Sequence, residues 1–215
     1  MVQVLNKHNS LLQHFLSEIR DSKIQQDPLR FRRNMERIGE VMAYEISKVL
    51  HYEQYQTTTP LGIADTSRVK DQVVLATILR AGLPLHSGML NYFDRAQNAF
   101  VSAYRKHHKD NTFDIAIEYL SCPDLTDKVL IISDPMLATG ASMVLAYQAL
   151  LKRGTPKEIH IAATIASRQG VDYCVKHLPA HIKIWVAAVD EELTAHAYIV
   201  PGLGDAGDLS FGEKI

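Results

Sequence analysis

Lys128-Val129-Leu130-Ile131-Ile132-Ser133-Asp134-Pro135-Met136-Leu137-Ala138-Thr139-Gly140-Ala141-Ser142 changes character twice along its length. Lys128 to Ser133 is nearly continuously apolar and rich in branched residues. That composition suits a strand buried on both faces of a parallel sheet. Small and hydroxyl-bearing residues follow, and Gly140 to Arg153 then reads as a helix with Gly154 as its C-terminal stop. The unit is strand, loop, helix.

Working outward, the same unit recurs. Val73 to Leu79, Ile159 to Ile165 and Ile182 to Val189 are further buried strands by composition, and Ala99 to Tyr104 is another. Leu83 to Phe93 and Gln169 to His177 read as helices between them. Phe113, Ile115 and Ile117 alternate with polar or small residues, which predicts a half-exposed strand. Near the N-terminus, Leu11, Leu12, Phe15, Leu16 and Ile19 recur at helical spacing. Asp27-Pro28 then reads as an N-cap followed by proline at the first helical position. After it, Phe31, Met35, Ile38, Met42, Ile46 and Val49 make a stripe on a long helix ending near Leu50. Such stripes serve either a dimer interface or packing against a sheet. Strands alternating with helices predict an α/β fold with a parallel sheet covered on both faces. No linker divides residues 1–215, so one domain with an N-terminal helical extension is expected.

Composition narrows the function classes. The chain has 215 residues, with 23 Lys plus Arg against 24 Asp plus Glu, for a net charge of −1. A neutral balance argues against bulk capture of nucleic acid. Hydrophobic residues at 47% and charged residues at 22% exclude global disorder. Cys122 and Cys174 form no Cys-x-x-Cys pair, which excludes a zinc ribbon and a disulfide framework. No signal-peptide core precedes the first helix, and no apolar run approaches bilayer length. A cytoplasmic protein without a membrane span is the expectation.

The loop after Ser133 carries the chemistry. Ligands of open parallel sheets bind at the C-terminal ends of strands. Small residues let backbone N–H groups converge on an anion, and the helix from Gly140 adds its positive dipole end. Thr139 and Ser142 supply hydroxyl donors. Asp134 at the strand end offers a carboxylate to sugar hydroxyls, so a phosphate beside a ribose is a natural ligand. A plain connection with Thr139 as N-cap fits the same composition equally well. The loop matches neither the Walker A nor the Rossmann glycine pattern.

Asp-Pro-Met-Leu-Ala-Thr-Gly-x-Ser resembles the phosphoribosyl pyrophosphate motif of the uracil phosphoribosyltransferase family. Ile78-Leu79-Arg80-Ala81-Gly82-Leu83 is similar to its pyrophosphate loop, and Tyr104-Arg105 to the start of its flexible loop. Tyr198-Ile199-Val200-Pro201-Gly202-Leu203-Gly204-Asp205-Ala206-Gly207-Asp208 resembles its uracil-binding segment, the most specific of the four. Ala43-Tyr44-Glu45 and Thr59-Pro60-Leu61 also fit, so the resemblance covers nearly the whole chain.

That resemblance implies a type I phosphoribosyltransferase fold with a C-terminal base-binding hood. It implies transfer of the phosphoribosyl group from phosphoribosyl pyrophosphate to uracil, giving UMP and pyrophosphate. The run Asp134, Pro135, Met136, Leu137, Ala138, Thr139, Gly140, Ala141 and Ser142 would bind phosphoribosyl pyrophosphate, with Arg80, Arg105 and Asp205. Within it, Ala138 to Ser142 would cradle the 5′-phosphate. The guanidinium groups of Arg80 and Arg105 suit the pyrophosphate. Arg105, Asp134 and Asp205 would be the catalytic residues. Main-chain groups near Ile199, Gly204, Asp205 and Ala206 would read uracil. Mg²⁺ is the implied cofactor, held mainly by substrate oxygens with Asp205 reaching its water shell. A homodimer or higher homo-oligomer is implied, and activation by GTP is a further question that the resemblance raises.

The chain departs from the family pattern in places. Ala141 stands where a glycine is usual, Thr77 where proline is common, Lys106 after Arg105 where Asp is usual, and Leu209 where a basic residue is usual. Ser167-Arg168-Gln169 replaces a Pro-Glu pattern before Gly170. Two readings compete with the family one. A phosphoribosyltransferase for another base is opposed by the C-terminal segment. A non-catalytic regulator that senses nucleotides and binds RNA is opposed by the neutral charge. Most of the ten histidines read as ordinary surface residues, and Trp185 as core.

Overall fold

A computed structural model of the chain describes residues 1–107 and 113–214, and the side chains of all of these except 103–107 and 113–116. Seven strands form the central sheet: β1 (Val2–Val4), β4 (Val73–Leu79), β5 (Gln97–His107), β6 (Phe113–Ser121), β7 (Val129–Leu137), β8 (Glu158–Ser167) and β9 (Lys183–Asp190). Their order is β1-β9-β8-β7-β4-β5-β6. Every neighbouring pair is parallel except β5 with β6, which is antiparallel at one edge. The parallel α/β sheet expected from the sequence is therefore present, with an antiparallel edge strand added.

Helices cover both faces. On one side lie α1 (Leu11–Arg20), α2 (Pro28–Ser47) and α3 (Leu83–Tyr92). The apolar stripes of α1 and α2, including Leu16, Ile19, Met35, Ile38 and Met42, pack against Leu75, Ile131 and Trp185 of the sheet. Sheet packing is thus what most of these residues do, although Leu11 is 71% exposed. Asp27 caps α2 as the Asp-Pro pair predicts, its carboxylate accepting from the Leu29 and Arg30 N–H groups at 2.9 and 3.2 Å. On the other side, α4 (Ala141–Leu150) and α5 (Arg168–His177) cover a second core around Leu130, Ile132, Ile161 and Val186. Two histidines, His86 and His160, are buried rather than on the surface.

An antiparallel ribbon, β2 (Tyr52–Thr59) with β3 (Gly62–Val69), escapes the sequence reading altogether. Neither face is apolar, so no alternation announces it. Cross-strand pairs hold it instead. Thr57 and Thr66 share a 2.9 Å hydrogen bond, and the Arg68 guanidinium lies 3.9 Å from the Tyr55 ring centroid. The base of the ribbon is tied by buried Asp71, which accepts from the His51 N–H at 2.7 Å and pairs with Lys157.

Candidate active site

The sheet opens between β4 and β7. Their ladder ends at Thr77 opposite Ser133, whereas β4 continues beside β5 to Leu79 and β7 beside β8 to Leu137. Two strands that run on with different neighbours leave a crevice at the switch point of the sheet. The crevice has a volume of about 940 Å³.

The sequence places the end of the central strand at Ser133; the structure carries it to Leu137. Asp134, Pro135, Met136 and Leu137 are therefore strand residues, because β8 supplies partners along that stretch. Pro135 falls beyond the last β4 partner, where a missing N–H is tolerated. The connection to α4 is only Ala138-Thr139-Gly140. Gly140, not Thr139, occupies the N-cap position, with φ of +79°. A side chain there is disfavoured twice. That φ is left-handed, and a β-carbon would stand 2.8 Å from the Gly170 carbonyl oxygen. Ala141 is the first helical residue, so its methyl group meets no such demand.

Among the described residues no side chain caps α4, so its first N–H groups keep their capacity for an anion. Thr139 Oγ1 makes only a long 3.4 Å contact with the Ala141 N–H. The loop is braced from behind. Ser167 Oγ donates to the Ala138 carbonyl oxygen at 2.5 Å and accepts from the Gly170 N–H at 2.8 Å.

Asp134 keeps part of its surface open to the crevice but is closely surrounded by protein. Desolvation raises its carboxyl to about 7, opposed by the Met136 N–H that Oδ1 accepts at 3.2 Å. A crowded carboxylate with one hydrogen-bond partner among the described residues is short of donors, which vicinal sugar hydroxyls would supply.

Arg80 leaves β4 at the facing wall. Its Nη2 donates to the Gly212 carbonyl at 3.0 Å and lies 3.4 Å from Asp208 Oδ1. Its Nε is buried and has no partner among the described residues. An orphaned guanidinium N–H at a cleft wall calls for an acceptor. The backbone of Arg105 lies in β5 opposite Ile115. The side chain assigned to pyrophosphate binding lies outside the described residues, as do residues 108–112 that follow the start of the flexible loop.

The roof comes from the C-terminal segment. β10 (Glu192–Leu193) pairs with β11 (Ile199–Val200), and the Thr194 N–H donates to the Tyr198 carbonyl at 2.8 Å. This turn brings His196, Ala197 and Tyr198 to the crevice. His196 and Ala197 stand outside the motif, and Thr-Ala-His-Ala-Tyr carries no turn residue that would have marked them. After the cis Val200–Pro201 bond, Gly204 adopts φ of +91°, and a β-carbon on it would meet nothing within 4 Å. That open space is room for a ligand. Asp205 then caps α6 (Ala206–Phe211), its Oδ1 accepting from Gly207 and Asp208 N–H groups at 2.8 and 3.0 Å. Oδ2 has no partner among the described residues.

Most sequence-derived site residues line this one crevice: Arg80, Asp134, Met136 to Gly140, Ser142, Gly204, Asp205 and Ala206. Pro135, Ala141 and Ile199 do not. Ile199 is 3% exposed and belongs to the core, so only its main chain remains available to a ligand. Glu213 and Lys214 also line the crevice, just past Gly212, and lie outside the motif. Among the described residues no group of three or more His, Cys, Asp or Glu could hold a metal ion. A Mg²⁺ fits here only as an ion ligated chiefly by a substrate's phosphate oxygens and water, a habit this cation has.

A family model described as uracil phosphoribosyltransferase matches residues 5–213. The chain is 63% identical over 211 residues to the uracil phosphoribosyltransferase of Porphyromonas gingivalis, covering 98% of each protein. It is 39% identical over 215 residues to that of Methanothermobacter thermautotrophicus, covering 99% of this chain and 96% of the relative. Among solved structures, the AQ2163 protein from Aquifex aeolicus superposes with a TM-score of 0.88 at 28% identity and full coverage of both chains.

Proposed function

Because the chain belongs to the uracil phosphoribosyltransferase family, whose members convert phosphoribosyl pyrophosphate and uracil to UMP and pyrophosphate, we propose the following division of labour within its crevice. Ala138 to Ser142 bind the 5′-phosphate through the uncapped start of α4. Asp134 receives the ribose hydroxyls, and their donation favours its ionised form. Arg80 and Arg105 hold the pyrophosphate.

Cleavage of the sugar–pyrophosphate bond spreads positive charge over the ribose and negative charge over the leaving oxygen. Catalysis then rests on positioning and on fixed charges where charge develops. The Arg80 guanidinium, pinned by the Gly212 carbonyl, is set in place before the substrate arrives. Magnesium bound to the pyrophosphate would neutralise part of its charge, with Asp205 Oδ2 reaching its water shell.

Uracil is read by main-chain groups at Gly204 to Ala206 and near Ile199. One edge of uracil presents two carbonyl acceptors and an N–H. Cytosine would bring an amino group against a donor, and such mismatches are strongly rejected. The observation that carries the assignment is the meeting of the phosphate loop and the Gly204–Ala206 segment across one crevice. The test is UMP formation by purified protein with uracil, cytosine and hypoxanthine, with and without Mg²⁺. UMP from uracil alone, dependent on Mg²⁺, is expected; preference for a purine overturns the base assignment. A GTP titration of the same assay asks about activation.

The chain is further read as a single domain that works as a cytoplasmic homodimer. The exposed apolar residues of the ribbon, Leu61 and Ile63 at 100% and 70% exposure, support association of copies. Two free cysteines accord with a reducing compartment. Sedimentation at several concentrations tests the dimer.

A further inference from the structure

We propose that Arg20 and Asp190 are positioning residues for uracil recognition, fixing the base-reading segment from the N-terminal helix. Arg20 ends α1 and Asp190 ends β9. Their side chains form a forked pair, Nη1 to Oδ2 at 2.8 Å and Nη2 to Oδ1 at 2.9 Å. Both then reach Gly202. Arg20 Nη1 donates to its carbonyl oxygen at 2.9 Å, and its N–H donates to Asp190 Oδ2 at 2.9 Å. Both main-chain polar groups of Gly202 are thus held by one ion pair, two residues before Gly204 in the crevice wall. Gln25, in the amide orientation that satisfies its surroundings, adds a bond to the Leu203 carbonyl at 2.8 Å.

The pair is costly to desolvate, since Asp190 is 8% exposed and the Arg20 side chain 23%. Arginine's planar fork can hold a carboxylate and a carbonyl at once, which a lysine cannot reproduce. The segment it holds has almost no secondary structure before α6. Without the pair, the main-chain groups that read the base would lose their fixed spacing while the phosphate loop, on β7 and α4, would not. The N-terminal extension therefore acts on base binding and not on phosphoribosyl pyrophosphate binding.

This rests on the placement of uracil against Gly204 and Ala206. The experiment compares Arg20→Met, Arg20→Lys and the double variant Arg20→Met with Asp190→Leu. It measures KM for uracil, binding of phosphoribosyl pyrophosphate alone by calorimetry, and Tm. Arg20→Met should raise the uracil KM on the order of tenfold, since small misplacements of a positioned group carry effects of that size or more. Phosphoribosyl pyrophosphate affinity should stay within about twofold, and Arg20→Lys should fall between. The double variant removes the unpaired buried charge, so Tm should recover while the uracil KM stays high. A uracil KM that is unchanged in the single variants, or restored in the double, overturns the proposal. So does an equal loss of both substrates. If Arg20→Met fails to fold, Arg20→Lys and the double variant decide. Gly204→Val serves as the reference: an unchanged uracil KM there overturns the base site and the proposal together. A raised KM there beside unchanged Arg20 variants overturns the proposal alone.

Discussion

Ser167 Oγ lies 2.5 Å from the Ala138 carbonyl oxygen, so the residue that caps α5 also fastens the phosphate loop. The same hydroxyl accepts from the Gly170 N–H, which places α5 directly behind Gly140. A hydroxyl with both a donor and an acceptor role thus ties two loops with one atom.

Ser167→Ala should cost about 1–2 kcal/mol of stability through the lost cap. It should also raise KM for phosphoribosyl pyrophosphate several-fold with little change for uracil. Thermal denaturation and steady-state kinetics on both substrates check this. Equal changes in both KM values would refute the loop-bracing role.

Gly140→Ala should be worse than its size suggests. The new methyl group would require a left-handed φ and would stand 2.8 Å from the Gly170 carbonyl. Strain of this kind costs about 1–3 kcal/mol. Calorimetry should show loss of phosphoribosyl pyrophosphate binding beside a lowered Tm. Wild-type affinity would show that the loop does not depend on this conformation.

Asp134 gives a pH signature. Its carboxyl is raised by desolvation to about 7. The free protein therefore holds this proton between the ordinary Asp value near 4 and about 7, and the associated stability is lost as pH rises through that window. Substrate hydroxyls prefer the ionised form, so phosphoribosyl pyrophosphate affinity should rise with pH up to about 7 and then level. Binding near pH 6.5 should release a fraction of a proton, measurable by calorimetry in buffers of different ionisation enthalpy. Asp134→Asn should weaken binding and abolish that proton release. Unaltered release in the variant would assign the proton elsewhere.

His160 is one contributor to acid sensitivity, beside lowered carboxyls such as Glu18. It is fully buried, and desolvation lowers its pKa to about 4, against an opposing pull from the Glu158 carboxylate 3.3 Å away. Lys183 adds to the lowering. The unfolded chain protonates this group first as pH falls. Stability should therefore be lost from about pH 6.5 down through 4, by up to about 3 kcal/mol. The Trp185 indole N–H donates to His160 Nδ1 at 3.1 Å, so His160→Gln keeps an acceptor there. Urea midpoints between pH 7 and 4 should fall less steeply in His160→Gln. Parallel curves would rule His160 out.

The sequence by itself determined the parallel sheet and marked, by resemblance, the strings proposed to bind substrate. Val73 to Leu79 is broken only by Thr77 and Val129 to Ile132 is apolar throughout, and such short runs rich in branched residues suit a strand covered on both faces. Asp134 to Ser142 and Gly202 to Asp208 are contiguous strings, so their chemistry is legible without a fold. What the tertiary structure alone decided are relationships across long sequence distances. The β7 strand runs on to Leu137 because β8 pairs with it there, a contact no local pattern encodes. The β2–β3 ribbon is held by cross-strand pairs of polar residues, so hydrophobic periodicity passes over it. His196 reaches the crevice through a turn whose residues carry no turn signature, and Glu213 reaches it from beyond Gly212, the left-handed stop of α6. Arg20 meets Asp190 and Gly202 only because folding brings the C-terminal end of α1 beside the C-terminal end of β9. A lone arginine at a helix end reads as a solvated charge until folding places a carboxylate and a carbonyl within reach of its fork.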